Sequence, residues 1–231
     1  MITSSAQVSL ADIPATMSSI LGLKTEFDGR SIFEIAPQET RKRTFFYYVW
    51  QHINWQKDYF DHLDEFEVVG SANDQASWRH IRTYHSPESS YQANRITFGT
   101  VESGLYRQFG WGPNLTDVDS AYTYNWALGH SASVFLSLPK NVASRLIAQM
   151  KSQPFDGPQV ITVKVDGREV GKWELSAPWN MESRSLIVPP DPDRPEVSVI
   201  EFSFSRCLAG KEDASSLAVL FESLAVLPAG K

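Results

Sequence analysis

The segment Gln159-Val-Ile-Thr-Val-Lys-Val165 alternates apolar and polar residues, breaks at Asp166-Gly167, and resumes in Arg168-Glu-Val-Gly-Lys-Trp-Glu-Leu175. Asp-Gly tolerates the left-handed backbone that a two-residue hairpin turn demands, so this stretch predicts an antiparallel hairpin. Alternation with period two means that each arm buries one face only. The same texture recurs between turn signals at Ser133–Leu138, Arg145–Lys151, Glu169–Leu175, Ser185–Val188, Val197–Phe204 and Leu217–Leu227. In the sixth strand Ile200, Phe202 and Phe204 alternate with Glu201, Ser203 and Ser205. Seven or eight such strands predict a jelly-roll-like β-sandwich over residues 97–231.

The first third reads differently. Ile13, Met17, Ile20 and Leu21 fall on one face at helical spacing, which predicts a helix over 13–21. Asp12 is the expected N-cap, because it leaves Pro14 in the first turn, and Gly22 supplies the left-handed stop. Asp28-Gly29 is a turn. Residues 44–50, Thr-Phe-Phe-Tyr-Tyr-Val-Trp, predict a buried strand; 55–63 a short helix; Phe66–Val69 and Trp78–Tyr84 two further strands. Polar residues from His85 to Asn94 read as a linker. The expected class is α+β, mostly β, with a small α/β region at 1–84, a linker at 85–96 and the sandwich at 97–231.

The net charge of −6 arises from 21 Lys/Arg against 27 Asp/Glu, spread evenly along the chain. No basic face is implied, so nucleic acid is not an expected partner. The lone Cys207 rules out an internal disulfide framework. No apolar run approaches the roughly 18 residues that span a bilayer. The N-terminal residues have neither the basic nor the apolar region of a signal peptide.

Tryptophans in the sandwich region are the leading binding candidates. Sugar rings stack on exposed aromatic faces while neighbouring polar groups bond their hydroxyls. Trp111 stands in a glycine-rich loop, Phe109-Gly-Trp-Gly-Pro-Asn114, with Asp117 and Asp119 close behind. Trp179 stands in the loop Ala177-Pro-Trp-Asn180, and Trp126 at a strand start. Trp111, Trp179, Trp126, Asn114 and Asp117 are therefore candidate substrate contacts, with Trp173 expected in the core. Two carboxylates, Asp117 and Asp119, are too few for a Ca²⁺ site. His52, Asp58, Asp61, His62 and Asp64 are the densest set of possible metal ligands, but lack two-histidine helical spacing. Gly129-His-Ser-Ala-Ser133 approaches a nucleophile elbow without its last glycine, and a strand follows where a helix is required.

Two resemblances add to this. Val8-Ser-Leu-Ala-Asp-Ile-Pro-Ala-Thr-Met-Ser-Ser-Ile-Leu-Gly-Leu23, then Asp28-Gly-Arg-Ser31, resembles a "D-x-x-P-T-x-x-x-x-x-G … D-G-x-S" segment late in sulfatase-like members of the alkaline phosphatase superfamily. Tyr48-Val-Trp-Gln-His52, Trp55, Tyr59, Glu65–Gly70 and Trp78 extend it. The second region, through Tyr124-Asn-Trp-Ala-Leu-Gly129, Leu136-Ser-Leu-Pro139, Pro154–Pro158, Val165–Val170 and Trp173-Glu-Leu175, resembles an accessory domain of bacterial polysaccharide-acting proteins. That family's closing "D-x-R-x-L-G" is here Asp213-Ala-Ser-Ser-Leu-Ala, without the Arg or the Gly.

The resemblances imply a non-catalytic C-terminal portion of a hydrolase or phosphoglycerol transferase acting on surface polysaccharide outside the cytoplasm. Its nucleophile and divalent metal would lie in an upstream catalytic chain, so no catalytic residue, metal site or cofactor is expected in this chain. His52 and Trp55 would then approach substrate, and a glycan or polysaccharide is the expected ligand. The alternatives are a free-standing carbohydrate-binding module and a small serine esterase using Ser131 or Ser133. An uncovered edge at Phe45–Trp50 also predicts self-association or partner binding.

Overall fold

The computed structural model describes residues 6–24, 26–48, 59–87, 91–208 and 216–229. The chain is mostly β and divides into two compact units, the first holding residues up to 48 and 59–86, the second the residues from 87 onward.

In the first unit, α1 (Asp12–Leu21) begins one residue earlier than expected, so Asp12 is inside the helix and not its cap. Its fully buried carboxylate accepts hydrogen bonds from the Ser9 N–H (2.7 Å) and the Arg30 N–H (3.0 Å). The Arg41 guanidinium grips both oxygens, at 2.9 and 3.0 Å, and holds the carboxyl far below its ordinary pKa. Thr16 Oγ1 donates to Asp12 O and accepts from the Ile32 N–H. Gly29 packs where a Cβ would stand 2.0 Å from Ala11 O, so no other residue fits there. Gly22, at φ 66°, ends the helix as expected. The motif residues Asp12, Thr16, Gly22 and Gly29 thus each have a folding role: they clasp the helix to the turn behind it.

Three antiparallel strands follow, β1 (Lys42–Tyr47), β2 (His62–Val69) and β3 (Trp78–His85), in the order β1-β2-β3. On one face Phe45, Phe66 and Trp78 cluster at centroid distances of 5.1 and 5.7 Å. On the other, Glu67 pairs with Lys42 and Arg79, and Glu65 with Arg82. The expectation of a buried strand over 44–50 is corrected: Phe46 is exposed because it lies on the charged, solvated face, and Tyr47, at the end of β1 on the other face, is exposed as well. Val49 and Trp50 lie outside the described residues.

The helix expected at 55–63 is also corrected where it can be followed: His62 opens β2. Its inward positions are His62, Asp64, Phe66 and Val68, so two buried polar residues disguised the alternation. The 85–94 linker is corrected in part. His85 closes β3, and Tyr91 is buried against Phe135 with its carbonyl accepting from the Ser137 N–H.

The second unit contains β4 (Arg95–Thr97), β5 (Leu115–Thr116), β6 (Thr123–Leu128), β7 (Ser131–Leu136), β8 (Ser144–Ser152), β9 (Gln159–Val165), β10 (Arg168–Leu175), β11 (Glu182–Val188), β12 (Ser198–Phe204) and β13 (Leu217–Pro228). One sheet runs β10-β9-β12-β7; the other runs β11-β8-β13-β6-β5, with β4 also on β13. Every paired strand is antiparallel. From β6 onward each connection changes sheet except the β9–β10 hairpin, which gives the two-layer sandwich of jelly-roll character. Asp166 (φ 52°) and Gly167 (φ 78°) form that hairpin's turn, both left-handed as the dipeptide predicts.

One core fills the space between the layers. Ala132, Val134, Ile161, Val163, Trp173, Ile200 and Phe202 come from the first sheet; Ala127, Leu146, Ala148, Met150, Val219 and Phe221 from the second. Phe202 bridges them, 5.9 Å from Trp173 and 5.1 Å from Phe221. Aromatic packing of this kind adds to the burial of apolar area that drives the layers together.

Candidate functional site

Strand β6 sets the site. Asn125 and Ala127 point inward and are fully buried, so Tyr124, Trp126 and Leu128 stand on the solvent side. Tyr122 precedes them in the same period-two series. Across the sheet, Trp126 pairs with Leu220 of β13, and Leu220 with Lys151 of β8. Lys151 Nζ donates to the Tyr122 hydroxyl at 2.9 Å and lies 5.5 Å from the centre of its ring. Tyr122 and Tyr124 are 5.8 Å apart. Along the same outer face, Gln149 stands opposite Ser223, whose hydroxyl accepts from Arg95. The face therefore alternates aromatic surface with hydrogen-bonding groups of both kinds.

Asn125 anchors this strand from behind. Its Nδ2 donates to Gly112 O (3.0 Å), Pro113 O (2.8 Å) and Asn114 Oδ1 (3.2 Å), and its Oδ1 accepts from the Gly99 N–H (2.6 Å). Two loops are thereby tied to β6. Arg107, buried beside them, donates to the same Gly112 carbonyl, and burial lowers its pKa to about 10.

Trp179 sits at the end of the sandwich reached by Ser152, the last residue of β8. Its N–H donates to Ser152 O (3.1 Å), and the loop is braced by Glu182 Oε1, which accepts from the Ser176 and Ala177 N–H groups. Trp179 adopts φ 63°, unusual for a bulky residue, and remains 52% exposed. A cleft of about 250 Å³ lies alongside, lined by Gln153, Phe155, Glu174 and Pro178 among others. At the opposite end, where β8 begins, a cleft of about 700 Å³ is lined by Gln92, Asn94, Ser137, Pro139 and Ser144, with no aromatic side chain among the described residues that line it.

The sequence candidates separate on this geometry. Trp126 is half-buried on the outer face of β6, and Trp179 is exposed. Trp111 is not: its ring packs 4.7 Å from Phe98 and 5.2 Å from Phe221, and its Nε1–H is spent on Ser133 O. Asn114 is engaged with Thr100 O and Asn125. Asp117 Oδ1 accepts from Ser120 Oγ and from the Ser120 and Asp119 N–H groups, and the Ser120 hydroxyl holds the carboxyl below its ordinary pKa. Both serve their own loop. His52 and Trp55 lie outside the described residues. At the near-elbow the expected strand is found: Gly129-His130 is a crossing between sheets, β7 follows, and Ser133 is buried with its hydroxyl on Gln108 Oε1. The serine-esterase alternative loses its motif with it. Among the described residues no three His, Cys, Asp or Glu side chains gather as a metal would require.

Sequence reasoning passed over Tyr122, Tyr124 and Lys151. The signal was present in Tyr122-Thr-Tyr124-Asn-Trp126, three aromatics at alternate positions.

The class that these elements define is a two-layer antiparallel β-sandwich. No family model and no curated protein matches the chain. Solved structures do, among them carbohydrate-binding modules. One is the Clostridium thermocellum xylanase 10B CBM22-1–GH10 modules complexed with xylohexaose, at 12% identity over 62% of this chain and 29% of that one, TM-score 0.40. A family 35 carbohydrate-binding module from Clostridium thermocellum matches at 13% identity over 59% of this chain and all of its own, TM-score 0.38. CsCBM6-3 from Clostridium stercorarium, in complex with cellobiose, matches at 12% over 59% and 94%, TM-score 0.36. The bound sugars are properties of those proteins.

Proposed function

We propose that the second unit is a carbohydrate-binding module that holds a glycan on the outer face of its β6-containing sheet, with Trp179 as a further contact at the sheet's end. The observation that carries this reading is the aromatic series of Tyr122, just before β6, and Tyr124 and Trp126 on its solvent side, with Lys151 beside it. Aromatic rings offer flat apolar surface to the C–H face of a sugar, at little conformational cost. Lys151, Gln149 and Arg95 supply donors, and Glu222 an acceptor, for hydroxyl groups. Binding of this kind needs no nucleophile or metal.

A sulfatase-type parent for the first unit has the sequence motif alone behind it. Its motif residues are accounted for by the clasp around Asp12, so they do not call for a catalytic neighbour. A free-standing binding module accommodates the same residues without one.

Tryptophan fluorescence tests the proposal. Soluble polysaccharide added to the protein is expected to shift or quench emission, with the response reduced at least tenfold in Trp126→Ala, a loss of about 1.4 kcal/mol. An unchanged response in both Trp126→Ala and Tyr124→Ala would remove the sheet face from the site.

A further inference from the structure

Helix α1 is built inside out. The side it turns inward carries Asp12, Thr16 and Ser18. The side it presents to solvent carries Ile13, Met17, Ile20 and Leu21, extended backward by Leu10, at exposures of 51–84%. These five fall within a stripe about 100° wide on a helical projection. In an ordinary surface helix that stripe faces the core. Here the clasp around Asp12 fixes the opposite orientation, since Arg41, Arg30 and Ser9 all engage the carboxylate.

The first unit does not consume its apolar residues internally. Among its described residues only Ile35 and Val68 are buried hydrophobics, while Phe33 is 74% exposed and Phe27, Ile32 and Leu23 also face solvent. An uncovered apolar stripe such as that on α1 marks an interaction surface.

We propose that the occupant is a second copy of this chain, docked stripe to stripe across a two-fold axis. The five side chains leave on the order of 600 Å² of apolar surface, so two stripes apposed bury about 1,200 Å², the lower bound of a stable interface. The stripe carries no charge. The helix's one ionisable residue, Asp12, is buried and paired, so two copies meet without repulsion. A two-fold pair also needs a self-complementary patch, and an uncharged row of branched and thioether side chains provides one.

Sedimentation of the full chain at about 10 μM is expected to give a dimer, and Met17→Glu with Ile20→Glu a monomer with unchanged thermal unfolding of the sandwich. Cross-linking gives an independent readout should the double variant fold poorly. In a Cys207→Ser background, Met17→Cys lies near the centre of an antiparallel stripe pair and is expected to form a disulfide-linked dimer on mild oxidation. Val118→Cys, on a fully solvated loop of the second unit, is not. A wild-type monomer up to about 100 μM, a double variant as dimeric as wild type, or failure of Met17→Cys to cross-link overturns the proposal. So does a monomer that instead floats with phosphatidylcholine–phosphatidylglycerol vesicles, which would make the occupant a membrane surface.

Discussion

Replacing Asn125 by Ala tests whether β6 is held from behind as described. The side chain is completely buried and makes four hydrogen bonds. Their loss is uneven. Gly112 O keeps Arg107 Nη1 at 3.1 Å, and Asn114 keeps Thr100 O. The Gly99 N–H and Pro113 O lose their Asn125 partner. Gly99 is half-buried and Pro113 exposed, so water replaces part of what they lose; with the cavity left by a completely buried side chain, the substitution is still expected to cost about 3 kcal/mol. For a domain of this size that lowers the melting temperature by roughly 10 °C, read by calorimetry. Asn125→Asp separates hydrogen-bond direction from side-chain size. It keeps the acceptor for Gly99 but sets a carboxylate against two carbonyls and the Asn114 amide oxygen, so it is expected to be at least as damaging. A cost below about 1 kcal/mol for Ala, or an Asp variant as stable as wild type, refutes the reasoning.

Two other outcomes follow from the same structure. Trp179→Gly removes a bulky residue from a left-handed backbone, so stability is expected to hold or rise by up to about 1 kcal/mol in a denaturant titration while glycan affinity falls; a stability loss beyond about 1 kcal/mol would show that the indole is a packing residue. His62 and His85 are held below the ordinary imidazole pKa, by burial first in each case, so the unfolded chain binds protons more readily than the folded one. Their contribution is present above about pH 6.5 and is lost as pH falls below it, so limited proteolysis is expected to cut the first unit faster at about pH 5 than at pH 7.5, and equal rates would refute this.

The parts of the fold legible in the sequence are those where polarity and burial agree. Strands β9, β10 and β12 alternate cleanly, and Asp166-Gly167 gives the hairpin its turn. The sequence misleads where polarity is inverted, and the reason is the same each time. In β6 the inward residue is Asn125, tolerated because its hydrogen bonds are satisfied, while the outward ones are aromatic. In β2 the inward residues are His62 and Asp64. In α1 they are Asp12 and Thr16, locked by Arg41 and Ile32. A pattern rule assigns such elements to the wrong side because it cannot see a partner distant in sequence. The same blindness sent Trp111 outward: its glycine-rich surroundings suggest an exposed loop, but Gly110 lets that loop lie close against β7, and the indole drops between Phe98 and Phe221.

Affinity electrophoresis of the full chain through gels containing soluble neutral or acidic polysaccharides tests the central claim most directly. At least one polysaccharide is expected to retard the wild-type protein; Trp126→Ala and Tyr124→Ala are expected to restore free mobility, and Trp111→Phe, which keeps the core packed, is not. Wild-type mobility unaffected by every polysaccharide, or retardation that survives both substitutions on β6, would contradict it.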